Sequence, residues 1–270
     1  MDEAKPAGKP PTGEDFDVTF AAVGNSSTLR RIWLEAYGND YSQEVEPYSF
    51  VTLTLLRRIA QQLRVGPGQS FADLGCGRGG PGLWIARELG ASLIGIDFSH
   101  VAIEHAAQRA HAFGLADRST FLQREVAHTE LPDACLDGAM SVDVWLLLPD
   151  KPAAAREIMR ILRPGGRFVF TTWASEQPLP FTPPRAGGYP QLFREAGGVV
   201  ETYEETADWE RRQRAVFEGI LAAQQVLIAE LGKVVAGGII KEAQQAPALF
   251  SHSTHILMVV RREEGTGKEV

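Results

Sequence analysis

The stretch Phe71-Ala72-Asp73-Leu74-Gly75-Cys76-Gly77-Arg78-Gly79-Gly80 decides how this chain is read. Ser70 to Leu74 is a short apolar run of strand type. Pro81 to Leu89 reads as a helix, with proline in its first turn and Gly90 at its end. The glycines between them form a strand-to-helix turn, the place where open α/β sheets gather their ligands. Without a Cβ, backbone can approach a ligand closely there and adopt positive φ at little cost.

The alternation continues outward from this turn. Ser92 to Ile96 is a second predicted strand, and Ser99 is placed to cap a helix that closes at Gly114. Thr120 to Arg124 and Gly138 to Val144 are the third and fourth strands. A helix from about Lys151 to Leu162 stops at Pro164-Gly165-Gly166, where strand Arg167 to Trp173 begins. This rhythm predicts an α/β, doubly wound, mostly parallel sheet with helices on both faces. Upstream, Phe50, Leu53, Leu56, Ile59 and Leu63 recur at helical spacing. Downstream, Gln191 to Ala196 is a short helix, Val199 to Tyr203 a strand, Trp209 to Leu231 one long helix and His255 to Arg261 the last strand. The organisation expected is a disordered tail over 1–15, a helical cap over 16–64 and a ligand-binding core over 65–175. Insertion helices facing the substrate and the final strands fill 176–262, and a second tail covers 263–270.

Composition narrows the function. With 270 residues, 44% hydrophobic and 23% charged, the chain has the make-up of a water-soluble protein. No apolar run approaches the ~18–20 residues of a membrane-spanning helix. The start, Met1-Asp2-Glu3-Ala4-Lys5, lacks the apolar stretch of a secretory signal. Two cysteines, Cys76 and Cys135, without CxxC spacing or neighbouring histidines, argue against a disulfide scaffold or zinc site and fit a cytoplasmic location. A net charge of −7 disfavours a nucleic-acid partner.

Gly75, Gly77 and Gly80 also satisfy the G-x-G-x-x-G dinucleotide fingerprint, so the turn alone leaves the ligand open. Asp73 discriminates. Its charge sits two residues before the first glycine, where it repels a pyrophosphate and favours a cationic ligand. Asp97 ends the next strand, where a carboxylate can accept both hydroxyls of a ribose.

Four ordered motifs resemble the class I S-adenosylmethionine (SAM)-dependent methyltransferase family across about residues 65–175. They are Asp73 to Gly79, Gly95-Ile96-Asp97-Phe98-Ser99, Glu125 to Asp137 with its internal Leu131-Pro132, and Leu162-Arg163-Pro164-Gly165-Gly166-Arg167-Phe168. The resemblance implies a seven-stranded, Rossmann-like methyltransferase fold with a helical cap, S-adenosyl-L-methionine as cofactor and no metal. It also implies residue roles. Asp73 orients the methionine ammonium, Gly75 and Gly77 pass under the cofactor, Asp97 holds the ribose and Phe98 packs on adenine. Glu125 accepts the adenine amino hydrogen, Val126 offers a backbone N–H, and Ser141 to Asp143 lie between cofactor and substrate. Relatives often carry a histidine where this chain has Leu147, so that base is absent and Asp143 is the candidate base or substrate-orienting group. The expected partner is a small-molecule acceptor, with neither nucleic acid nor membrane involved. A SAM-binding member that catalyses cyclisation or rearrangement stays open, and a nicotinamide oxidoreductase remains the weaker alternative.

The remaining side chains are read as structural. Trp33, Tyr37, Tyr41 and Tyr48 are expected in the core rather than in a cofactor lid. His100, His105, His111 and His128 are expected at the surface, and His252 and His255 away from any pocket.

Overall fold

The computed structural model describes residues 12–46, 48–175 and 188–264. Its seven strands are β1 (Ser70–Leu74), β2 (Ser92–Asp97), β3 (Ser119–Gln123), β4 (Leu136–Val142), β5 (Leu162–Ser175), β6 (Gly198–Glu205) and β7 (Ser253–Arg262). They form one sheet in the order β3-β2-β1-β4-β5-β7-β6. Pairs up to β5 are parallel, and β7 runs antiparallel to both β5 and β6. The expected doubly wound, mostly parallel sheet is therefore present. Parallel strands gather their carboxyl ends at one edge, so Leu74, Asp97 and Val142 come together there although the chain separates them.

The helices are α1 (Gly13–Val23), α2 (Ser27–Tyr37), α3 (Leu53–Leu63), α4 (Gly80–Leu89), α5 (His100–Ala112), α6 (Lys151–Ile161), α7 (Gly188–Glu195), α8 (Trp209–Ala222) and α9 (Gln224–Gln245). On one sheet face Leu56, Ile59 and Leu63 of α3 and Leu83 and Ile85 of α4 pack with Phe71, Met140, Val169 and Leu257. On the other, Ile158 of α6 and Phe193 of α7 pack with Trp145, Phe168 and Phe170. Each such fully buried side chain contributes about 1.5–3 kcal/mol. A third apolar cluster joins α1, α2, α8 and α9 through Phe20, Trp33, Tyr37, Phe217 and Leu227. This is a helical cap, but α3, although within 16–64, packs on the sheet instead, and α8 and α9 complete the cap. Trp33, Tyr37 and Tyr41 are buried in it as expected, whereas Tyr48 is 39% exposed.

Three expectations need correction. The tail assigned to 1–15 gives way to a helix at Gly13, because Thr12 and Asp15 form a reciprocal capping box; residues 1–11 lie outside the described residues. The long helix read over Trp209 to Leu231 is two helices meeting at 86°, and the second runs on to Gln245 through a non-helical Gly232. Apolar spacing survives such a bend, since periodicity records neighbours along the helix and not the direction of its axis. Strand β5 begins at Leu162, with Pro164-Gly165-Gly166 inside a register shift against β4 rather than before the strand. The Pro- and Gly-rich loop read over 176–190 falls mostly outside the described residues. No single helix among the described residues is long and apolar enough to cross a membrane.

Candidate cofactor and acceptor site

The glycine turn is built as a cradle. Gly75 and Cys76 both donate their amides to the Ile96 carbonyl, at 2.7 and 2.9 Å, which locks the turn after β1 to the end of β2. Gly75 has φ +75° and Gly77 φ +50°, conformations that residues with a Cβ rarely adopt. A Cβ on Gly75 would come within 2.4 Å of Val144, and one on Gly77 within 3.3 Å of the Phe20 ring. Glycine is favoured by the backbone at both positions and required by space at Gly75.

Two carboxylates flank this turn. Asp97 is 5% exposed; its Oδ2 accepts the Gly77 amide at 2.8 Å and its Oδ1 the Ser99 amide at 2.9 Å. Burial raises its pKa, against the lowering pull of those amides. Asp73 is 1% exposed, and its Oδ2 has no hydrogen-bond partner among the described residues. Burial above all, then the charge of Asp97, pushes the Asp73 carboxyl up to about 7. A buried acceptor without a donor is costly, by ~1–3 kcal/mol. A donor-rich cation supplies what Asp73 lacks, so these residues fit a ligand carrying an ammonium group and a ribose. In that fit Asp73 would take the ammonium, Asp97 the ribose and the Gly75–Gly77 backbone the middle of the molecule.

Helix α1 lies mostly within the cap expected over 16–64, but its particular contacts with the site are ones the sequence did not announce. Asp17 Oδ1 accepts the Ser99 hydroxyl at 2.5 Å and the Val101 amide at 3.1 Å, so it completes the N-terminus of α5 beside Asp97. Phe16 lies 5.4 Å from the Phe98 ring, and Phe20 lies over Gly77. Phe98, assigned to adenine packing, therefore shares its surroundings with the cap. The only available signal was the capping box at Thr12, which marks a helix start and not its destination.

Other assigned residues fare differently. Val126, assigned a backbone donor role, buries its side chain in the same apolar cluster as Ile96. Glu125 was assigned to the adenine amino group, but its side chain is 72% exposed and faces His128 at 3.8 Å. It follows a strand edge open to solvent, which gives its charge no reason to turn inward. Ser141 was assigned to the cofactor, yet it is buried and its hydroxyl donates to the Leu74 carbonyl at 2.7 Å. That hydroxyl ties β4 to β1 instead.

Asp143 follows β4 with φ +59°. Its side chain is 7% exposed: Oδ1 accepts the Thr171 hydroxyl at 2.7 Å and faces His255 Nε2 at 2.8 Å, and Oδ2 accepts the Phe50 amide at 2.9 Å. Desolvation would raise its pKa, but the pull of His255 and the hydrogen bonds outweigh it and hold the carboxylate below its ordinary value. Asp143 thus binds the cap segment at Phe50 to the strand ends, a role not assigned to it from sequence. His255, expected to avoid any pocket, is 1% exposed and sits at the centre of this cluster. Its ring lies 4.6 Å from Trp173, which meets Phe50 edge-on at 5.4 Å; Phe50 in turn meets Phe217 at 5.7 Å. These rings form an aromatic wall with one buried carboxylate beneath it, and Val144, which follows that carboxylate in the chain, lies against Gly75 of the turn.

Comparison with known proteins agrees with this geometry. Residues 72–170 match the methyltransferase domain family. The chain is 28% identical over 165 residues to methyltransferase GfsG of Streptomyces halstedii, covering 58% of this chain and 59% of that protein. It is 31% identical over 145 residues to the 27-O-demethylrifamycin SV methyltransferase of Amycolatopsis mediterranei (strain S699), covering 52% of each. The chain thus spans little more than half the length of these relatives. Among solved structures, the [4+2]-cyclase SpnF superposes with a TM-score of 0.74 at 20% identity, over 95% of this chain and 98% of that one, a likeness of fold. The likeness to a methyltransferase domain thus lies over residues 72–170, the part of the chain that holds β1 to β5 and the glycine turn.

Proposed function

We infer that this protein transfers the methyl group of SAM to a small-molecule acceptor. The observation that carries the reading is the pair Asp73 and Asp97 on either side of the Gly75–Gly77 turn, the first buried with its Oδ2 lacking a donor and the second at the end of the next strand. When bound, SAM supplies an activated methyl on a sulfonium. The task left to the chain is to hold a nucleophile in line at about 3–3.5 Å, an orientation effect worth ~7–11 kcal/mol.

The net charge of −7 and the wall of Phe50, Trp173 and Phe217 favour an uncharged, partly apolar metabolite over a nucleic acid. The names of the relatives, one of them acting on a demethylrifamycin, support a natural-product acceptor. The two free cysteines suit a reducing, cytoplasmic setting.

Calorimetric titration with SAM, S-adenosylhomocysteine (SAH) and NADH tests the cofactor reading. Micromolar binding of the first two and none of the third is expected; NADH binding alone would overturn it. A screen of hydroxylated natural products read by SAH release tests the reaction. Product formation without SAH would instead favour a non-methylating reaction on the same scaffold.

A further inference from the structure

A cavity of about 280 Å³ opens where the start of α3, the end of β6 and the first turn of α8 meet. That is close to the ~300–1,000 Å³ of small-molecule pockets. It is a different place from the glycine turn: Asp73, Gly75, Gly77, Asp97 and Asp143 are all absent from its walls. Three aromatic side chains, Tyr37, Phe50 and Trp209, line it.

Its charges are unequal. The walls carry Asp40, Glu204 and Glu205 against Arg58 and Arg212, so one negative charge is left over. The pairing shows which. Arg58 Nε lies 3.2 Å from Glu204, and Arg212 Nη2 lies 3.3 Å from Asp40. Glu205 has no ion pair among the described residues; its Oε1 accepts the Trp209 indole N–H at 2.6 Å, a neutral donor that leaves the charge in place. The same bond sets that charge beside an aromatic ring, a combination that attracts an ammonium ion twice over. An anion finds no such opening. Arg212 is committed to the Ala207 carbonyl at 3.0 Å and to Asp40, whose Oδ1 also accepts the Thr54 amide at 2.7 Å. Arg58 is committed to Glu204. A cation displaces none of these contacts.

We propose that this cavity is a binding site for a small organic ammonium ion with an apolar body, its charge held by Glu205 beside Trp209 and its body against Phe50. Phe50 also belongs to the aromatic wall, where its ring meets Trp173 and Phe217. The two places are neighbours, yet binding in the cavity needs neither cofactor nor acceptor, so the proposal stands apart from the methyltransferase reading.

Three probes of one shape class test it: benzyltrimethylammonium, benzyl alcohol and benzoate, titrated calorimetrically into the full chain in low-salt buffer. The ammonium probe should saturate with a Kd on the order of 1 mM, and the alcohol and benzoate should bind at least about tenfold more weakly. Glu205→Gln, whose amide oxygen can still accept the Trp209 N–H, should weaken the ammonium probe about fivefold or more. Glu210→Gln makes the same change of charge on α8 outside the cavity, and should leave affinity within about twofold. Equal losses in the two variants would show attraction by overall charge rather than a site, and would overturn the proposal. So would an unchanged affinity in Glu205→Gln, a preference for benzoate, or no saturation of the ammonium probe by about 10 mM. The preference among the three probes is read on the wild type, so it decides the sign of the site even if a variant does not fold.

Discussion

Asp97 accepts the Gly77 amide at 2.8 Å, which joins the end of one strand to the turn that follows its neighbour. One side chain thereby fixes the shape of the cradle and contributes its charge to it. Replacing Asp97 by Ala strands the Gly77 and Ser99 amides and removes the proposed ribose acceptor. SAM and SAH should each lose at least about tenfold in affinity, measured calorimetrically, because hydrogen bonds to a charged group contribute ~1.5–3 kcal/mol apiece. Affinity within twofold of wild type would separate Asp97 from the cofactor.

Gly75 tests the cradle from below. A methyl group there meets Val144 at 2.4 Å and sits at φ +75°. Gly75→Ala should destabilise the protein by about 2 kcal/mol or more, read by denaturant unfolding. Adding Val144→Ala should recover the steric part and leave the backbone strain, so a double-mutant cycle should show clear coupling.

Asp73 makes binding depend on pH. Its carboxyl titrates near about 7 in the folded chain against 3.8 ordinarily, so between those values the native state holds more protons than the unfolded one. Stability of the ligand-free protein should therefore fall as pH rises through that window and level off above it. Binding runs the other way: a protonated Asp73 must lose its proton to receive an ammonium, so SAM affinity should climb up to about pH 7 and then flatten. Asp73→Asn should abolish that climb, weaken binding and raise the melting temperature of the ligand-free protein at pH 8. A pH-independent affinity in the wild type would contradict the assignment.

Helix α1 should respond to the loss of a single side chain. Asp17→Ala removes the acceptor for the Ser99 hydroxyl and the Val101 amide, a loss of about 1 kcal/mol. Hydrogen exchange across residues 13–23 should accelerate while the β1 and β4 amides keep their protection. Uniform acceleration throughout the chain would show instead that α1 is inseparable from the core.

Ser141 provides a contrast with Asp97. Its hydroxyl serves the Leu74 carbonyl. Ser141→Ala should lower the melting temperature by about 2–4 °C and change SAH affinity by less than about twofold. A large affinity loss at unchanged stability would return Ser141 to the cofactor.

The parts of the site that were legible are those carried by local chemistry. Gly75 and Gly77 announced a turn because a Cβ is excluded there, and Asp97 announced itself by ending a strand one βα unit later. Glu125 was less legible for the same reason. Its place in a motif gives its position along the chain, whereas its direction depends on whether the edge beyond β3 is covered, and its side chain is 72% exposed.

Amino-acid order by itself determined the alternation of strands and helices, the parallel sheet and the glycine turn with its two acids, since each depends on residues a few positions apart. Only the tertiary structure decided that Asp17 would reach Ser99 across 82 positions and that His255 would meet Asp143 across 112. Such pairs form where separate apolar faces are buried against one another. The energy that brings them together is spread over the whole cap and sheet, and no local pattern records which polar groups will end face to face.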